Sequence, residues 1–89
     1  MEPRTSIVWD PIRTAEGSAV DCKGLSVVLI ITCSYSDYTV LVYHRHEYVD
    51  AIVPIGAFCI EDAHSLNDVK EELDRINKTI GWREYLGSL

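Results

Sequence analysis

The stretch from Leu25 to Tyr35 limits this chain's folding options more than any other. Its centre, Val27-Val28-Leu29-Ile30-Ile31, is apolar without a break and rich in β-branched side chains, which suit a pleated strand. Side chains alternate along a strand, so Leu25, Val27, Leu29, Ile31 and Cys33 share one face while Ser26, Val28, Ile30, Thr32 and Ser34 share the other. In the middle both faces are apolar, and both need cover. The run is too short to cross a membrane, for which about 20 apolar residues are needed.

Weaker elements arrange themselves around this strand. Ser6 to Trp9 has the β-branched and aromatic content of a short first strand, which Asp10-Pro11 stops. Arg13 to Gly24 is small, polar or charged, with Gly17 and Gly24 giving turn freedom, and reads as a loop. Ser36-Asp37 turns the chain into a hairpin whose returning strand is Tyr38 to Tyr43. A third strand is expected from Tyr48 to Val53, ended by Pro54 and Gly56.

After Ser65 the period changes. Leu66, Val69, Leu73, Ile76 and Ile80 recur every three or four residues, which predicts an amphipathic helix with one apolar stripe. Ser65 is placed to cap its first turn, and Asp68 stands where a capping box carries Glu or Gln. Glu71 with Arg75 and Asp74 with Lys78 have the four-residue spacing of helical ion pairs, and Gly81 is a natural stop. Trp82 to Leu86 is either a further helical turn or an edge strand, bulky enough to pack.

These elements predict a single α+β domain over residues 1–89, with three or four antiparallel strands and one amphipathic helix across one face. One helix covers one face, whereas the central strand is apolar on two. The Arg13 to Gly24 loop, Trp82 and Tyr85, a second copy stacked on Val28 and Ile30, or a foreign partner must supply the rest.

Charge narrows the choice of partner. Fourteen Asp and Glu against eight Lys and Arg give a formal charge of −6, and the bases are scattered singly, so neither nucleic acid nor an anionic membrane is an expected ligand. A basic protein surface is. Between Glu47 and Asp74 lie Glu47, Asp50, Glu61, Asp62, Asp68, Glu71, Glu72 and Asp74 with Lys70 as the sole base. Tyr35, Tyr38 and Tyr48 flank the hairpin turns beside these acids and are candidate contact residues, the acids steering encounter and the aromatics holding the complex.

Signals for chemistry are sparse. Cys22, Cys33 and Cys59 follow no metal-ligand spacing, and Cys33 and Cys59 sit among apolar neighbours as core residues would. His44 and His46 share a strand face and could begin a metal site with Glu47, or pair with a cysteine for nucleophilic catalysis, as could His64. No phosphate loop, G-x-S-x-G or H-E-x-x-H motif is present, and no cofactor or metal is expected. The N-terminus leads into mixed sequence without an apolar signal region, which suits a reduced cytoplasmic setting.

Three functional expectations follow. The first is a small non-enzymatic binding or inhibitor protein docking a basic macromolecular surface, such as a phage or mobile-element inhibitor of a nucleic-acid-processing host complex, of anti-CRISPR or DNA-mimic type. The second is a structural homodimeric module. The third is a small enzyme or metal-binding protein using His44 and His46.

Overall fold

The computed structural model describes residues 6–35, 37–46 and 48–89. Five strands, β1 (Val8–Trp9), β2 (Glu16–Val20), β3 (Ser26–Ser34), β4 (Asp37–Arg45) and β5 (Ile52–Ile60), form one antiparallel sheet in chain order. Two helices, α1 (Leu66–Thr79) and α2 (Trp82–Gly87), follow. The α+β class agrees with the sequence reading, with five strands in place of three or four and two helices in place of one.

The alternation read from Leu25 to Tyr35 is observed: Val27, Leu29 and Ile31 are buried, and Val28 and Ile30 are half-buried on the opposite face. β3 pairs with β4 from Val27 opposite His44 to Ser34 opposite Asp37. Val40 and Val42 therefore join the buried face, with Phe58 beyond them on β5.

Two segments correct the sequence reading. Arg13 to Gly24 is not all loop, because Glu16–Val20 pairs with β3 as β2. Its low strand propensity is overridden by a neighbouring ladder and a packing demand for small side chains. A Cβ on Gly17 would lie 2.6 Å from Cε3 of Trp9 and 2.9 Å from Cγ2 of Ile7, so glycine is what lets β1 lie against β2. The last strand begins at Ile52 and runs through Pro54 and Gly56 instead of ending there. β5 is an edge strand, where one row of amides never enters a ladder and proline is tolerated. Tyr43 pairs with Pro54 but Val42 with Gly56, so Ile55 is the extra residue of a bulge.

The helix stripe packs as its period requires. Val69, Leu73 and Ile76 are fully buried, with Leu66 and Ile80 packed at the margin of the same core. Ser65 Oγ accepts the Asp68 amide at 3.3 Å, and Asp68 Oδ2 accepts the His64 amide at 3.1 Å. Lys78 pairs with Asp74 at 2.8 Å, whereas Arg75 pairs with Glu72, three residues back, and not with Glu71. Gly81, at φ +90°, ends α1 and starts α2. Trp82 and Tyr85 then close on Phe58 with ring centroids 6.1 and 5.0 Å away, fastening α2 to β5.

A buried polar group joins the two layers. The Asp21 carboxylate, in the β2–β3 turn and 3% exposed, accepts the amides of Lys23 and Leu25 at 2.9 Å through Oδ1 and that of Trp82 at 2.8 Å through Oδ2. Beside it, fully buried Asn77 accepts Trp82 Nε1–H at 2.9 Å and donates to the Val20 carbonyl at 3.4 Å. Both helices are thereby tied to one end of the sheet.

The thiols correct the reading again: Cys22, Cys33 and Cys59 are all exposed. Cys33 lies at the end of β3, past the buried stretch that closes with Ile31, and Cys59, opposite Thr39, is on the face away from the helices. Among the described residues no helix is long and apolar enough to cross a membrane.

Asp21→Ala strands three amides in an enclosed turn and should cost about 3 kcal/mol or more, given roughly 1.5–3 kcal/mol for a hydrogen bond to a charged group. Asp21→Asn keeps an acceptor for Lys23 and Leu25 and should lose less. Urea unfolding of the two variants checks both the loss and the order.

Candidate binding surfaces

Both helices pack on one side of the sheet, which leaves the other side without cover from any described residue. The register arranges that bare face in rows. Val8, Ser18, Val28, Tyr43 and Pro54 form one row across all five strands, and Glu16, Ile30, Leu41 and Ala57 form the next. Thr32, Thr39 and Cys59 follow towards the β3–β4 turn. The centre is apolar and the ends are polar, the pattern of an interface with a dry core and a wet rim.

Three charged strand residues lie on this face. Glu16 has its own counter-ion in Arg13 at 3.8 Å. Asp37 and Arg45 stand at the two ends of β4, exposed, and among the described residues neither makes an ion pair. Arg45 extends over the face, where it borders a shallow groove of about 340 Å³ with Val8, Asp10, Glu16, Ser18 and Val28. The Asp10 carboxylate accepts the amides of Arg13 and Ile12, both at 2.8 Å, which holds its carboxyl below the usual range and shapes the groove's rim.

A second surface forms where β3 turns into β4. Tyr38 pairs with Ile60, so Tyr35 and Asp37 lie at the same end of the sheet as Glu61 and Asp62, which lead from β5 into α1. Asp37, Glu61 and Asp62 are exposed and make no ion pair among the described residues. Tyr35 is bare, at 102% relative exposure, and its φ is +57°, in the left-handed region that a bulky side chain enters at a cost of about 1–2 kcal/mol. Neither packing nor backbone geometry calls for tyrosine there. Strain retained without a structural return is a pointer to function.

The remaining candidate residues fall in several places. Tyr38 packs against the core margin. Asp68 caps α1, Glu72 and Asp74 are engaged with Arg75 and Lys78, and Glu71 is exposed on α1. Tyr48, 90% exposed, and Asp50 lie in the β4–β5 connection, separated from the Tyr35 end by the length of β4, about 26 Å at 3.3 Å per strand residue. Glu47 and Ser36 lie outside the described residues. The acidic and aromatic residues that lie close in sequence are thus divided among the two ends of β4 and helix α1. His44 and His46 are neighbours, with ring centroids 5.8 Å apart, but among the described residues no group of three or more His, Cys, Asp or Glu comes together as a metal site would need.

Asp37, Leu41 and Arg45 escaped the sequence reading as contact residues. Alternation along β4 places them with Val28 and Ile30 once the β3 pairing is known. In comparisons with known proteins the chain matches no family model, no curated protein and no solved structure.

Because Tyr35 pays for its backbone conformation without a packing contact, Tyr35→Asn should stabilise the fold by about 0.5–1 kcal/mol, asparagine being the non-glycine residue that best tolerates this region. A rise in the thermal or urea midpoint is the expected reading; a fall would mean that the ring supports the turn.

Proposed function

We propose that this chain is a non-enzymatic protein-binding module whose acidic, tyrosine-tipped end docks a basic surface of a macromolecular partner. The observation that carries the reading is Tyr35, fully exposed on a left-handed backbone beside the exposed carboxylates of Asp37, Glu61 and Asp62. An exposed aromatic supplies contact area at little conformational cost, and carboxylates around it accelerate encounter with a basic site. The net charge of −6 favours a partner that ordinarily binds nucleic acid, because such surfaces are basic. Small size and this charge are what support the narrower reading of an inhibitor of a nucleic-acid-processing complex, including one of phage or mobile-element origin and anti-CRISPR or DNA-mimic type. A cytoplasmic site of action accompanies it.

A second reading, a homodimeric interaction module, is favoured by a separate observation. Val28, Ile30, Leu41 and Tyr43 make a contiguous apolar centre on a sheet face that no part of the described chain covers. The two readings share Asp37 and otherwise use different surfaces.

Affinity capture tests the docking reading when wild type is run beside Tyr35→Asn and Glu61→Lys/Asp62→Lys at low and high salt. Wild type should retain a basic nucleic-acid-binding protein. Loss of an aromatic anchor worth about 2 kcal/mol should weaken that contact roughly thirtyfold, and the charge reversal should also make association less sensitive to salt. Equal retention by all three proteins at both salt concentrations would remove the acidic end from consideration.

A further inference from the structure

The geometry points to one specific self-association: two copies stack their bare sheet faces with β4 antiparallel on β4, each Arg45 meeting Asp37 of the other copy. This rests on the homodimer reading and adds the register, the two-fold axis and the residues that set them.

Area supports a second copy as the occupant. The strand residues, two in β1, five in β2 and nine in each of the others, each cover about 3.3 by 4.8 Å and give a face of roughly 540 Å² in each copy. Two copies would bury about 1,100 Å², just above the roughly 1,000 Å² that a specific interface needs. The apolar rows lie at the centre of this area, where a two-fold contact is driest.

Charge selects the orientation. On β4 the residues facing the bare side are Asp37, Thr39, Leu41, Tyr43 and Arg45, so Leu41 is the midpoint, with an acid four residues before it and a base four residues after. A two-fold axis lying between the sheets and crossing β4 at Leu41 maps each position onto its mirror along the strand. Leu41 then meets Leu41, Ile30 meets Ile30 in the same row, and Asp37 meets Arg45 twice. Asp37 and Arg45 lack ion-pair partners among the described residues, and this operation supplies one to each. Glu16 shares the row of the axis and would face its own copy, a like-charge approach that Arg13, 3.8 Å away, offsets in each copy. Parallel stacking would set like charges over one another and is disfavoured. The sheet edge is a poorer contact, since Pro54 and the bulge at Ile55 interrupt the free side of β5.

The test is the association constant by sedimentation from low to high micromolar concentration for wild type, Arg45→Asp, Asp37→Arg and the double exchange. Each single reversal replaces two attractive pairs by two repulsive ones and should weaken the dimer about tenfold or more, while the double exchange should return it to near the wild-type value. Both substitutions are at exposed sites, so folding is not at risk. A variant-free readout accompanies them: Cys59, on the bare face, should react with a thiol reagent more slowly as the dimer fills, while Cys22 and Cys33 should not change. A dimer indifferent to all charge variants, with Cys59 equally reactive throughout, would overturn the register while leaving self-association by another surface. A monomer at every concentration would overturn the register and the homodimer reading together.

Discussion

The carboxylate of Asp21 is the point on which the two layers of this protein depend. Three backbone amides converge on it, two from its own turn and one from the first residue of α2. Without an acceptor those donors would be enclosed and unpaired, at a cost comparable to a sizeable share of the stability of a domain this small. Asn77 extends the junction by holding the Trp82 indole and the end of β2, and its own carbonyl accepts the Cys22 amide at 2.9 Å. Trp82 in turn reaches Phe58 near the far edge of the sheet. A polar contact in a turn thus decides where the largest buried ring lies, and through it which face both helices cover.

That choice has a consequence for the opposite face. Each helix is fastened to the same side, α1 by its leucine and isoleucine stripe and α2 by its aromatic pair. The segment available to cover the other side, Arg13 to Gly24, is spent extending the sheet through β2 instead. The sheet gains a strand and loses a lid. Apolar residues along the middle of β3 and β4 are then left half-buried by their strand neighbours, on a face that no described residue covers.

What could be read from the sequence follows from how local each signal is. The alternation of β3 and the stripe of α1 are set by spacing within one segment, and both are observed with their caps. β2 was missed because Glu16, Gly17, Ser18 and Ala19 have no strand signal of their own; what makes them a strand is the free edge of β3 and the bulk of Trp9 over Gly17. β5 was cut short because proline is a sound terminator in a central strand and a poor one at an edge, and edge position is a property of the whole sheet. The same holds for the surfaces. Tyr35 and Tyr48 are thirteen positions apart in sequence, yet β4 holds them at opposite ends, while Tyr35 and Glu61, twice as far apart in the chain, share one. The backbone strain at Tyr35 was not legible, since nothing in the neighbouring residue types requires a positive φ there.

The two surfaces bear on one another through symmetry. In the proposed stack, a two-fold axis that reverses β4 would also reverse the direction in which the Tyr35 end points, so the two acidic ends would face away from each other along the strand axis. Asp37 is the one residue the two surfaces share; Tyr35, Glu61 and Asp62 would remain outside the proposed stack. Such a pair would be bivalent, its reach set by rigid strands instead of a flexible linker. Against a partner with two basic sites at a matching separation, the second contact forms at a high effective concentration; against any other spacing it does not form at all. Selectivity would then come from the distance between two modest contacts, which a chain of 89 residues can fix through its sheet more readily than it can build one large complementary interface.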